Sequence, residues 1–166
     1  MSLLFAAIGA TVTALVEVTL APYIAVGETA PHPVLVGGVI WTIAAGIDRG
    51  ISWAFVGGLV LDSLLGRPLG VSAFALLAAV GGAALLGQPF PRLRLVAPIL
   101  AVPIFSFVNS MLILALTSAA QPGTALPDPV GLLLPGVIYD GLLGMFLGPI
   151  AVLLHDRRAA TERVDW

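Results

Sequence analysis

Apolar residues dominate this chain in long, even blocks, and polar residues collect in the short breaks between them. Divided at proline, glycine and charge, the blocks predict six helical spans, at 3–26, 34–47, 51–65, 69–87, 96–118 and 130–154. Breaks fall at 27–33, at Asp48-Arg49, at Gly66-Arg67-Pro68-Leu69-Gly70, at 88–94 and at 121–129. The second and third spans are short for a bilayer that normally takes about 20 residues per crossing. A re-entrant hairpin or a pair of buried core helices would give the same local pattern.

The arginines decide for six crossings. Arg49, Arg92, Arg94, Arg157, Arg158 and Arg163 then fall on one side and Arg67 alone on the other. By the positive-inside rule both termini lie in the cytoplasm. Removing one span would scatter the arginines between sides. Pro98, Pro103, Pro135 and Pro149 are expected to kink their helices rather than break them, because neighbouring helices can satisfy the freed carbonyls.

Composition places the pattern in a membrane. Of 166 residues 59% are hydrophobic and 10% charged, and mean hydropathy is +1.09. Soluble domains carry about 25% charged residues, so the expectation is an all-α integral membrane protein, one transmembrane domain over 1–166 with a short cytoplasmic tail at 155–166. The first residues lack a positive charge, which points to a retained helix rather than a cleaved signal. There is no cysteine, so disulfides, thiolate catalysis and Cys-based metal sites are excluded. All seven basic residues are arginines, and no patch is large enough for nucleic acid. His32 and His155 have no second ligand at metal spacing, and no Ser-His-Asp set, P-loop or GxGxxG is present. No metal, cofactor or catalytic constellation is therefore expected.

Three acids fall at membrane depth, where an ionisable residue is expensive and by default functional. Each sits in a row of small residues four apart: Gly9-Thr13-Glu17-Ala21, Ala54-Gly58-Asp62-Gly66 and Gly136-Asp140-Gly144-Gly148. Such faces let helices approach closely. The acids then face the bundle interior or a partner helix. The plainer alternative is that they cap or hydrogen-bond locally, the spacing following from 19 glycines. An Asp62–Arg67 bridge would close the turn that Gly66, Pro68 and Gly70 sharpen. Ser106, Asn109 and Ser110 can hydrogen-bond between helices. No basic group sits mid-membrane to counterbalance the acids. Trp41 and Trp53 flank the second break as interfacial anchors or as core.

The stretch 54–74, AFVGGLVLDSLLGRPLGVSAF, resembles the signature region of the MreD family of bacterial rod-shape-determining membrane proteins. Gly57, Gly58, Asp62, Gly66, Leu69 and Gly70 stand at its glycine-rich helix, terminal acid, turn and Leu-Gly step. HPVLVGGVIW at 32–41 and GLLGMFLGPIAVLLHDRR at 141–158 look like the corresponding outer segments. The resemblance implies a scaffold of the bacterial inner membrane, in the elongation complex that builds the lateral cell wall. It would bind MreC, whose single transmembrane helix needs a groove, beside RodA, a penicillin-binding transpeptidase and the MreB filament, with lipid around it. Ala54, Gly57, Gly58, Asp62, Gly66, Arg67, Pro68, Leu69 and Gly70 would form the partner-binding or structural motif, with Glu17, Asn109 and Asp140 as secondary buried polar groups.

The family is similar in fold to the S-components of energy-coupling-factor vitamin transporters, so an S-component-like bundle is implied. A vitamin-binding S-component is therefore the rival. It needs a pocket with polar and aromatic groups, and the chain has only two Tyr and three Trp. A small carrier coupled to ions through Asp62 or Asp140 is the third possibility.

Overall fold

A computed structural model of the chain describes residues 2–20, 23–25, 30–87, 95–120 and 129–161. Ala21, Arg92, Arg94, Arg163 and the breaks expected at 88–94 and 121–128 lie outside the described residues, as does the side chain of Arg158. Among the described residues there are six helices: α1 (Ser2–Leu20), α2 (Pro33–Ala45), α3 (Ile47–Leu65), α4 (Val71–Gly87), α5 (Ala97–Ala120) and α6 (Pro129–Thr161).

Several boundaries differ from the sequence expectation, each for a local reason. The second break is the single residue Gly46, at φ 97°, where a side chain would be strained. Asp48 and Arg49 therefore belong to α3, and Asp48 complements the positive end of its dipole. Pro98 lies in the first turn of α5, where its missing N–H costs nothing, so it starts the helix instead of kinking it. Helix α5 continues through Pro103 and α6 through Pro135 and Pro149. Residues 155–161, expected to open a tail, are the last turns of α6.

Helix α2 is the axis of the molecule. It is apolar on every side, which is what a helix buried all round requires, and nine of its thirteen residues are buried. It packs against each of the other five. Those five form an open ring in the order α1, α3, α4, α5, α6, with no close packing between α6 and α1. One end of α2 meets the start of α5 and the close of α6, through Ile43, Ala44, Ala101 and Val152. At the other end Glu17, His32, Arg67, Ser72 and Asn109 converge.

The seams are built from small side chains. Ala6, Ala10 and Ala14 of α1 are fully buried, and a Cβ on Gly57 of α3 would meet Ala10 at 3.4 Å. The fully buried row of α1 is Ala6-Ala10-Ala14, and the expected Gly9-Thr13-Glu17 row beside it also faces the bundle, a Cβ on Gly9 meeting the Trp53 ring at 2.8 Å. On α6, Gly136, Asp140, Gly144 and Gly148 are all buried. A Cβ on Gly144 would strike Val102 of α5 at 2.6 Å. The outward faces are apolar, with Phe5, Val12, Leu100, Phe146 and Ile150 each at least half exposed. Helices α1, α5 and α6 hold spans long and apolar enough to cross a membrane.

Candidate functional site

Helix α2 is about 20 Å long at 1.5 Å per residue, against a hydrocarbon core of about 30 Å. A helix that short begins inside the bundle, and its first N–H groups have no intrahelical acceptor. Pro33 at the first helical position removes one of these donors. The N–H of Val34 and that of the capping residue His32 are met by acids from distant helices. Glu17 of α1 accepts the Val34 N–H through Oε2 at 2.9 Å. Asp140 of α6 accepts the His32 N–H through Oδ1 at 2.8 Å. Both carboxylates face the positive end of the α2 dipole.

Asp140 is satisfied on every side. Its Oδ2 accepts the Ser106 hydroxyl at 2.6 Å and faces Nδ1 of His32 at 3.0 Å. Asp140 is fully buried, while about a third of the His32 side chain is accessible, at 35%. Burial disfavours the imidazolium, but the hydrogen bond to Asp140 and the charges of Asp140 and Glu17 outweigh it. The His32 pKa is consequently raised above its usual value. His32 does lie in the break before α2, but the expectation that no basic group accompanies the acids is overturned, because His32 is the partner of Asp140.

The third acid repeats the device at α4. Helix α3 ends at Gly66, in the left-handed conformation at φ 64°, and Gly70 follows at φ 101°. Both values favour glycine. The turn brings α4 back so that fully buried Asp62 accepts the N–H of Gly70 at 2.8 Å and of Ser72 at 2.9 Å. The expected Asp62–Arg67 salt bridge is not made. Arg67 gives Asp62 only its backbone N–H, to the carbonyl at 3.0 Å. Its guanidinium instead reaches towards Ser72 Oγ at 3.4 Å, close enough to Glu17 and His32 to act on both electrostatically.

The motif residues are placed unevenly. Ala54, Gly57, Gly58 and Asp62 are buried within the chain, and a Cβ on Gly58 would collide with the Ala73 backbone of α4. The face expected to receive a partner helix is thus occupied by α4. Gly66, Pro68 and Leu69 are exposed at the tip of the turn, with Arg67 and Gly70 half-buried. Trp53 is core, with its Nε1 donating to the Val34 carbonyl at 2.9 Å. It stacks on Trp41 at 6.1 Å between ring centroids.

Two clefts flank α2. The first, about 450 Å³, lies at the polar end between Glu17, His32, Arg67, Asn109 and a wall of leucines and isoleucines. Asn109 is 3% exposed, and its carboxamide oxygen has no hydrogen-bond partner. The second, about 530 Å³, is an apolar groove in the opening between α1 and α6. Val36, Gly37, Ile40 and Trp41 floor it, and Leu143, Leu147 and Ile150 form one bank. The Trp41 indole N–H is buried without an acceptor. Among the described residues no three His, Cys, Asp or Glu side chains group as metal ligands. Compared with protein-family models, curated proteins and solved structures, the chain matches none.

Proposed function

We propose that this chain is a non-enzymatic scaffold of the MreD type. It crosses the bacterial inner membrane six times, with both termini in the cytoplasm. It receives the transmembrane helix of an MreC-like partner and so helps hold RodA, a penicillin-binding transpeptidase and MreB together during lateral wall synthesis. The observation that carries this reading is the groove between α1 and α6. The ring around α2 is open there, the floor includes a glycine, and Trp41, whose buried N–H has no acceptor among the described residues, lines it. Small residues and unmet polar groups are what membrane helix interfaces use. The Asp62 turn, in this reading, builds the bundle that presents the groove.

The rival, an S-component-like subunit of a vitamin transporter, would use the polar-end cleft. Its described walls contain no Tyr, Trp or Phe to stack on a ring, so the scaffold is the better reading. The chain's lack of cysteine makes the test clean. Single cysteines at Leu147, in the groove, and at Phe74, on the outer face of α4, would be paired with cysteines along the MreC transmembrane helix. Disulfide crosslinks are expected from Leu147→Cys alone. Equal crosslinking from Phe74→Cys, or none from Leu147→Cys, sinks the proposal.

A further inference from the structure

The scaffold reading leaves the polar-end cleft unused, and that cleft has unmet hydrogen-bonding capacity. Asn109 lies in its wall with a partnerless carboxamide oxygen. The χ2 torsion of asparagine is soft, so a bound ligand can turn that oxygen towards itself. Glu17 commits Oε2 to Val34, and its second oxygen makes no hydrogen bond among the described residues. Arg67 supplies the only fixed cation among the described lining residues and makes no salt bridge to a carboxylate among the described residues. Around these groups the wall is mostly aliphatic, with Leu35, Leu61, Leu76, Ile113 and Leu132 among its residues, interrupted by the hydroxyls of Ser72, Ser110 and Thr117.

Each feature selects one part of a ligand. A guanidinium without an acid partner suits phosphate, which it can grip with two parallel hydrogen bonds. Two acceptors without donors ask for hydroxyl groups. A mostly aliphatic wall without aromatic rings suits a hydrocarbon chain. The volume, about 450 Å³, is that of a small-molecule site. We infer that the polar-end cleft binds a phosphate-bearing, hydroxyl-bearing polar head with an aliphatic body, phosphate towards Arg67 and hydroxyls towards Asn109 and Glu17. A glycerophospholipid of the surrounding bilayer and a soluble glycerol phosphate share this head chemistry. The inference is independent of the partner groove on the other side of α2.

The test uses the full chain in nanodiscs of phosphatidylcholine, with and without phosphatidylglycerol. Lipid retained on the protein is read by native mass spectrometry. Glycerol 3-phosphate is added to the phosphatidylcholine discs in a parallel thermal-shift series. Phosphatidylglycerol is expected to be retained on the wild type, and to drop by up to about tenfold in Asn109→Leu, the loss of roughly one buried hydrogen bond to a hydroxyl of the head. Ile113→Trp, which fills the cleft and leaves Asn109 in place, should have the same effect, so the answer survives if Asn109→Leu does not fold. Protection of the wild type by glycerol 3-phosphate, without phosphatidylglycerol retention, supports the site with a soluble source. The inference is overturned if neither probe distinguishes wild type from Ile113→Trp, or if phosphatidylcholine is retained equally well.

Discussion

Asp140 holds His32 twice, by its backbone N–H at 2.8 Å and by its imidazole Nδ1 at 3.0 Å, across 108 positions of chain. The contact joins the last helix to the start of the central one. Glu17 does the same from the first helix, through Val34, and Asp62 closes α4 within its own hairpin. All three acids at bundle depth are therefore acceptors for the first N–H groups of the two shortest helices, α2 and α4. Buried donors left without partners cost about 1–3 kcal/mol each, which is reason enough for each acid to be there.

The Asp140–His32 pair makes stability depend on pH. With its pKa raised on folding, His32 takes up protons more readily in the folded state. That contribution is complete below the unfolded value of about 6.5 and disappears as pH rises through the folded value. Thermal unfolding in detergent should therefore show a Tm that falls on going from about pH 6 to about pH 8.5, a range that brackets the titration of histidine. His32→Gln should flatten the profile. An unchanged slope in that variant would mean the pair does not titrate with folding.

Asp62 is expected to act on the fold before it acts on any partner. Asp62→Leu leaves the Gly70 and Ser72 N–H groups buried without an acceptor, at about 1–3 kcal/mol each. Asp62→Asn keeps an acceptor oxygen and should lose about half as much. Denaturation of the purified chain would rank wild type above Asp62→Asn above Asp62→Leu. Equal stability of all three would show that the turn closes without the carboxylate. A coupled-carrier role predicts something different, namely lost transport in a normally stable Asp62→Asn chain.

The sequence made the helices legible and the contacts between them much less so. Apolar blocks bounded by Pro and Gly locate six helices because burial and backbone satisfaction dominate in this composition. The ends moved where one residue decides: Gly46 alone makes the second break, and Pro98 is harmless in a first turn. The four-residue rows on α3 and α6 identified buried faces, but not what covers them. Gly58 could have met a partner helix as readily as Ala73. Capping stood among the alternatives for the acids, and Asp62 caps within its own hairpin, but which N–H groups Glu17 and Asp140 would meet was hidden because Val34 and His32 lie far from them in the chain. One sign was available: Pro33 opens a helix too short to reach the surface, so acceptors had to come from elsewhere in the chain.

Two glycines separate close packing from mere composition. Gly58→Ala pushes a methyl into the Ala73 backbone, while Gly81→Ala meets nothing within 4 Å. The first should destabilise by about 1–3 kcal/mol, the usual cost of overpacking. The second should be neutral or stabilise by about 0.5–1 kcal/mol, since alanine is the better helix former. Chemical denaturation of both variants reads the difference. Similar losses at the two sites would mean that the α3–α4 seam can relax.

Trp41 gives the sharpest separation between fold and partner. Its indole N–H is buried with no acceptor and lines the α1–α6 groove, while its ring stacks on Trp53. Trp41→Phe keeps a ring for the stack and removes a donor that the isolated chain does not satisfy. The chain alone should therefore be as stable as wild type, or slightly more so. If a partner helix supplies the acceptor, the complex loses an interhelical hydrogen bond, which averages about 0.6 kcal/mol in membranes. That corresponds to about threefold weaker association, readable as MreC retained at matched expression. Trp41→Ala, by contrast, should weaken both measurements, because it also removes the stack. A Trp41→Phe chain that loses thermal stability and holds its partner normally would place the indole N–H in the fold rather than at the interface.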